Sequence, residues 1–343
     1  MPSLLFSLAF HPQEDKNSFI AGELLQGTLS VQAFRSIRCQ ALTIDLGWRT
    51  SSRGKEDRSP PLSSQFLFQG DFFANETYSY PFQLQTPLDG PFSFKGKEIT
   101  LQYYLQVEAQ LPAAFNPTFE REIQILPHPC PSPPLLYRCG LKLLKTVSPQ
   151  QHFSLGGWLF FKILFFWSGI LFLGFSSQKK IETGLLLWSL GFFFLLIFFF
   201  RNLLAQIKIY PPLFEIQTNT FSPGQFIPFG LSLIARRRLQ LKGIHVSLSC
   251  EEKSISVVRN NQITYRSTLF EVHQTYFPES LLLPEMEKKL LEKIKIPSEA
   301  PYVFSSPHHQ LSYRLNLQIE IAYFPDYRLS KIIYVIPPGY HAL

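Results

Sequence analysis

The sequence predicts a mainly β protein, two immunoglobulin-like β-sandwich domains separated by a two-helix transmembrane hairpin. Three observations predict it. Two long apolar runs lie side by side in the middle of the chain, short alternating runs fill both flanks, and the two flanks repeat one another in order. Apolar and polar residues alternating with period two mark a half-buried strand, whereas an apolar run long enough to span hydrocarbon marks a membrane helix. A chain of 343 residues has room for more than one unit of ordinary domain size.

Residues 1–127 are the expected N-terminal sandwich. LLFSLAF, ELLQGTLSVQAF, CQALTIDLGW, QFLFQG, TYSYPFQL, EITLQYYLQVEAQL and FEREIQIL alternate in polarity, and turn-forming clusters at His11–Asn17, Arg49–Ser64 and Pro87–Gly96 break them up. That pattern argues for two packed sheets. MPSLLFSLAFHPQEDK lacks a basic region before its apolar run and reads as a first strand rather than a signal peptide. SSRGKEDRSPPLSS, at Ser51–Ser64, reads as a long, mobile hairpin loop.

Residues 128–157 are the expected proline-rich linker and basic juxtamembrane segment. HPCPSPPLLY is stiff and unsuited to a sheet. RCGLKLLKTV, with Leu141, Leu143 and Leu144, reads equally as a segment lying on a membrane or as an ordinary linker.

Residues 158–204 are the expected hairpin. WLFFKILFFWSGILFLGF and GLLLWSLGFFFLLIFFF hold 18 and 17 residues, contain no proline, and are joined by a turn at Ser176–Thr183. A helix rises about 1.5 Å per residue, so about 20 such residues cross a hydrocarbon core. A buried globular helical hairpin is the alternative. Lys162 is the one charge inside either run, placed to snorkel, with an ion or proton site as the sharper reading. Arg138, Lys142 and Lys145 precede the hairpin and Arg201 and Lys208 follow it, while its turn holds Lys179, Lys180 and Glu182. The positive-inside bias then places both β domains in the cytoplasm of a two-pass integral protein of the plasma or inner membrane. The expected membrane-interface residues are Lys142, Lys145, Trp158, Lys162, Lys179, Lys180 and Arg201.

Residues 205–343 are the expected C-terminal sandwich. FEIQ, FIPFGLSLIA, LQLKGIHVSLSC, ISVVR, ITYRSTLFEVHQ, KIKI, HQLSYRLNLQIEIAY and KIIYVIP are its strand candidates, with a hairpin turn at Asn260–Gln262. Pro278–Lys293, which contains PEMEKKLLEK, reads as a loop with a short helix.

The two β regions align with one another. Phe19–Trp48 lies along Phe221–Cys250 without a gap, pairing Gly22 with Gly224, Leu29 with Leu231, and Leu42, Ile44 and Leu46 with Ile244, Val246 and Leu248. Pro87–Val107 lies along Pro297–Leu317, pairing Pro91, Phe94, Leu101, Tyr103 and Leu105 with Pro301, Phe304, Leu311, Tyr313 and Leu315. Two blocks in the same order point to a tandem pair of sandwiches.

The opening F-x-x-G, the strand LTIDLGW, and the proline-flanked YPFQLQTPLDGPFSFKGKEITLQYYLQVEA resemble the strands of an arrestin domain. Arrestin-like proteins, among them a retromer subunit and bacterial sporulation-control proteins, place two such sandwiches in tandem, so the resemblance implies arrestin-like domains over most of 1–127 and 206–340. It also implies an adaptor that works by binding. The chain departs from that pattern where a short hinge is replaced by the apolar hairpin. No phosphate-sensing residue carries over, and PPLLY at Pro133–Tyr137 is one residue too long for a P-P-x-Y motif.

No catalytic constellation stands out. The chain has no G-x-S-x-G, no G-x-x-x-x-G-K-[ST], no H-E-x-x-H and no Rossmann glycine run, so no enzyme, metal or cofactor is expected. The net charge of +7 is scattered, which argues against nucleic acid as a partner. Cys39, Cys130, Cys139 and Cys250 have no regular spacing and read as free thiols, Cys139 being a weak candidate for acylation. His308–His309 is a histidine pair at a turn, where neighbours on a strand would face opposite ways and resist sharing a metal. His128 with Cys130 and Cys139 would make a poor metal cage on a proline-rich linker. Arg236, Arg237 and Arg238 with Lys242 form the densest basic cluster, and Arg35 and Arg38 fall at the matching place in the first repeat. They are candidate contacts for an anion, a lipid headgroup or a partner, against the plainer reading of a solvated turn.

The expected function is that of a membrane-anchored adaptor or scaffold that binds protein partners, membrane proteins among them, at the cytoplasmic membrane surface. The alternative is a subunit of a membrane transport or envelope-assembly complex, its helices packing through Gly169, Gly174, Gly184 and Gly191. An enzyme with a dispersed site is a third reading.

Overall fold

The computed structural model describes residues 3–11, 16–112, 116–129, 135–137, 205–258, 261–277 and 279–342. The first unit holds β1 (Leu4–Phe10), β2 (Ser18–Ile20), β3 (Leu24–Ala33), β4 (Ile37–Ser51), β5 (Asp57–Arg58), β6 (Ser63–Phe72), β7 (Thr77–Gln85), β8 (Phe94–Lys95), β9 (Thr100–Gln110) and β10 (Thr118–Leu126). β11 (Leu135–Tyr137) follows it. The second unit holds β12 (Leu213–Ile216), β13 (Thr220–Phe221), β14 (Phe226–Ile234), β15 (Leu239–Val258), β16 (Asn261–Tyr276), β17 (Ser280–Leu282), β18 (Glu287–Lys295), β19 (Phe304–Ser305), β20 (His309–Ile321), β21 (Tyr327–Val335) and β22 (Tyr340–Ala342).

Each unit packs a three-stranded sheet on a seven-stranded one. The small sheets run β1-β3-β7 and β12-β14-β18. The large ones run β2-β10-β9-β4-β5, with β6 on β4 and β8 on β9, and β13-β21-β20-β15-β16, with β17 on β15 and β19 on β20. In both, the short second strand joins the large sheet in parallel. Alternation explains the layers. Along β9, Leu101, Tyr103, Leu105, Val107 and Ala109 are buried, and along β20, Leu311, Tyr313, Leu315, Leu317 and Ile319 are their counterparts.

The repeat survives as register. Trp48, Leu46 and Ile44 lie opposite Tyr103, Leu105 and Val107, while Cys250, Leu248 and Val246 lie opposite Tyr313, Leu315 and Leu317. Gly22 and Gly224 turn the chain at φ 81° and 79°, a conformation that favours glycine. The buried Tyr103 hydroxyl donates to the Pro91 carbonyl, and the Tyr313 hydroxyl donates to that of Pro301.

Four expectations are corrected or fall outside. The hairpin at 158–204, and with it Lys142, Lys145, Trp158, Lys162, Lys179, Lys180 and Arg201, lies outside the described residues. Among the described residues no helix is long and apolar enough to cross a membrane. Their strands alternate, so each buries one face in a sandwich and turns a polar face outward. Against the expectation, the described residues give no support to the transmembrane part of the architecture, the integral two-pass location, membrane anchoring, the membrane-complex alternative or lipid-headgroup contact. Glu287–Lys293, expected within a short helix, belongs to strand β18. Its good helix formers are overridden by nine backbone pairings with β14 that bury Leu290 and Ile294. Ser51–Ser64, expected to be a mobile loop, contains β5 and packs against the second unit. In the expected linker, β11 pairs in parallel with β22.

Candidate functional site

The site is the seam where the two units meet. It is built from the Thr50 end of β4 with β5, the β8–β9 turn, and the matching parts of the second unit, the Glu252 end of β15 and the β19–β20 turn. Each unit sends one carboxylate into the other unit's turn.

Asp57 comes from the first unit and is 8% exposed. One carboxylate oxygen accepts the His308 backbone N–H at 2.9 Å and the Ser306 hydroxyl at 2.6 Å. The His308 Nδ1 contacts the other oxygen, and the His309 Nδ1 lies 3.0 Å from the first. Burial pushes the Asp57 carboxyl up, but the donors from Ser306, His308 and His309 outweigh it and hold it at about 2. His309 is 1% exposed, and burial lowers its pKa against the raising effect of Asp57. The neutral ring then donates from Nδ1 to Asp57, with Thr50 Oγ1 also 2.9 Å away, and accepts at Nε2 from the Ser52 hydroxyl at 2.7 Å.

Glu252 comes from the second unit and is fully buried. Its Oε2 accepts the backbone N–H groups of Lys97 at 3.1 Å and Glu98 at 2.9 Å. Its Oε1 is buried without a hydrogen-bond partner. Burial raises the Glu252 pKa, and the backbone donors of Glu98, Ile99 and Lys97 only partly oppose that. Gly96 makes the approach possible, since a Cβ there would lie 1.7 Å from Glu252 Oε1.

The two capped turns are images of each other under the repeat, while the carboxylates come from different strands, Glu252 from β15 and Asp57 from β5 beside Thr50. Thr50 corresponds to Glu252 on paired strands, and the turn Gly96–Ile99 corresponds to Ser306–His309. The seam therefore has the self-complementary character of a two-fold interface, formed within one chain. Lys97 Nζ adds a bond to the Thr268 carbonyl at 2.8 Å. Apolar contact comes from rings: Trp48 meets Phe304 edge-on at 5.8 Å, and Phe92 packs against Tyr137, Tyr302 and Tyr340. The Tyr137 hydroxyl donates to the Val303 carbonyl at 2.9 Å.

The residues singled out from sequence fall in two places. His308 and His309 lie at the seam and do share a partner, the Asp57 carboxylate, because His308 sits in the turn before β20 and the alternation of a strand does not govern it. Among the described residues no set of His, Cys, Asp and Glu could hold a metal ion. Arg35 lies in the β3–β4 turn with Arg38 just beyond, and Arg236–Arg238 form the β14–β15 turn with Lys242 just beyond; all are exposed. Arg236 lies over the Tyr210 ring at 4.6 Å, and the Arg236 and Arg237 N–H groups both bond the Lys208 carbonyl. About 40 Å of strand separates Ile37 from Thr50, so each basic turn sits far from the seam and the seam does not unite them. Cys39 and Cys250 are free and buried, and burial pushes the Cys250 thiol up to about 12. Cys130 and Cys139 lie outside the described residues.

Asp57 and Glu252 were not legible as site residues. The one signal for Glu252 was its place in a strand whose neighbours alternate, which puts a carboxylate on the inward face beside Cys250.

Comparison with known proteins bears on the first unit. The family described as arrestin (or S-antigen), N-terminal domain, matches residues 69–129. Domains of that kind are non-catalytic scaffolding modules. Among solved structures, the sporulation control protein Spo0M from Bacillus subtilis is similar at 19% identity, over 38% of this chain and 51% of that one, with a TM-score of 0.31. The likeness spans about half of that protein, and at that TM-score it carries no weight. No curated protein matches.

Proposed function

We propose that this protein is a non-catalytic scaffold of arrestin type, whose two sandwiches, taken as 1–127 and 205–343, hold protein partners. The seam is the observation that carries this reading. Its reciprocal carboxylate caps and shared aromatic cluster hold the sandwiches in one orientation, so surfaces on both face a partner in a fixed relation. Affinity gains when a binding surface is organised beforehand. The arrestin-type match over 69–129 supports the same reading. Among the described residues the outer edges of the two small sheets pair with no further strand, and they are places for an added one. The exposed turns at Arg35 and Arg38, and at Arg236, Arg237 and Arg238 with Lys242, are candidate partner contacts.

The test is in-cell crosslinking of the full chain followed by purification. A protein recovered in fixed ratio, and released when Gly96→Arg opens the seam, is the expected result. Recovery with no protein in fixed ratio, or equal recovery with the Gly96→Arg chain, overturns the reading.

A further inference from the structure

The outer face of the second large sheet carries charges that its counterpart neutralises. In the first unit Arg49 pairs with Glu120 and Glu122, Arg58 joins at Glu120, and both guanidinium groups lie over Tyr104. Register places Glu251 where Arg49 stands, Arg314 where Tyr104 stands, and Ser330 and Ile332 where Glu120 and Glu122 stand. The neutralising acids are gone. Lys253 is added directly opposite Arg266 on β16 and opposite Gln310 on β20.

Three cations thus face one carboxylate. Arg314 lies 3.8 Å from Glu251, while Lys253 and Arg266 form no ion pair among the described residues. Like charges directly across two strands destabilise a sheet, and an anion between them would relieve it. They border a cavity of about 120 Å³ that Gln310 and Ser312 also line with polar groups. That space is large enough to admit a side-chain carboxylate or a phosphoryl group.

We infer that this cavity seats one oxyanion, carboxylate or phosphoryl, of an extended acidic segment of a protein partner. Resting on the scaffold reading, the inference names the chemistry of one contact. A nucleic acid would need a track of cations for successive phosphates. Beyond Arg314 the cation that this face presents is Arg328, opposite Gln318, and it lies 3.6 Å from the Asp326 carboxylate, so no track is formed. Asn316 there bonds Ser249 and Ser330, and Gln318 bonds Glu320 and Asp326.

The experiment is fluorescence anisotropy on the full chain with two labelled decapeptides, one rich in glutamate and one carrying phosphoserine. Wild type is expected to bind at least one of them. Lys253→Gln with Arg266→Gln should weaken that binding about tenfold or more while leaving the melting temperature no lower, since it removes a like-charge pair. Arg49→Gln, at the neutralised counterpart, should leave peptide affinity unchanged. Preference for the phosphoserine peptide assigns a phosphoryl group, and equal binding assigns a carboxylate. Neither peptide binding, unchanged affinity in the double variant, or displacement by inorganic phosphate as effective as by unlabelled peptide overturns the inference. A crosslinked partner recovered equally with the double variant retires this contact and leaves the scaffold reading standing.

Discussion

Replacing Asp57 with asparagine keeps the outline of the seam and removes one of its charges. Asp57 is 8% exposed, so solvent screens little of what its donors do. Its carboxyl sits at about 2 against an ordinary 3.8, burial raising it and the donors of Ser306, His308 and His309 lowering it further. A separation of that size corresponds to about 2 kcal/mol of folding stability. The folded carboxyl is the stronger acid, so this contribution is complete above 3.8 and is lost as pH falls toward 2. Asparagine has no such window, and its NH₂ group faces a donor it cannot satisfy. Urea unfolding of the full chain, followed by circular dichroism, should find Asp57→Asn less stable than wild type by about 2 kcal/mol or more at neutral pH. The gap should narrow between about pH 4 and about pH 2.5. His309 adds a slope at higher pH, because burial lowers its pKa below the usual 6.5 and the unfolded chain takes up the proton first. Asp57→Asn loses the carboxylate that partly opposes this shift, so the slope should be at least as large in the variant. A gap that stays constant down to the acid limit would refute the assignment of Asp57 as a charged cap.

Three further predictions follow from neighbouring geometry. Gly96→Ala places a Cβ 1.7 Å from Glu252 Oε1 and should displace the cap, leaving the Lys97 and Glu98 N–H groups unpaired at a loss of about 1–3 kcal/mol in thermal or urea unfolding. Glu252→Gln should do the opposite at neutral pH. The raised pKa of Glu252 means that its ionised form costs folding stability once pH exceeds the ordinary carboxylate range, so the variant should melt at an equal or higher temperature there, with the advantage vanishing in acid. Tyr103→Phe and Tyr313→Phe each remove one buried hydroxyl that donates to a proline carbonyl, and matched losses of about 1 kcal/mol in equilibrium unfolding are expected. Losses differing severalfold would mean that the two units do not use the repeat alike.

Period-two alternation was enough to place most of the long strands, though not β5, β11 or β18, because the inward row of a sandwich strand must be apolar wherever it lies in the chain. The repeat made Leu46 equivalent to Leu248 and Leu105 to Leu315, and the structure pairs them in the same register, Leu46 opposite Leu105 and Leu248 opposite Leu315. Composition excluded familiar catalytic motifs and marked the basic turns. These are local properties, carried by residues within one or two strands of each other.

Tertiary structure decided the rest. Asp57 sits in a polar stretch that reads as solvated, and only the arrival of His308, 251 positions away, turns it into a buried acceptor. Glu252 reaches Glu98 across 154 positions, and Gly96 looks like any turn glycine until that carboxylate is beside it. Glu287–Lys295 has the composition of a helix and becomes a strand because β14 offers it a full ladder of backbone partners. The surplus of charge around Lys253 likewise appears only when β15, β16, β20 and β21 stand side by side. Hydrophobic periodicity is written along the chain, whereas the pairing of a buried charge depends on which distant backbone groups the fold brings within about 3 Å.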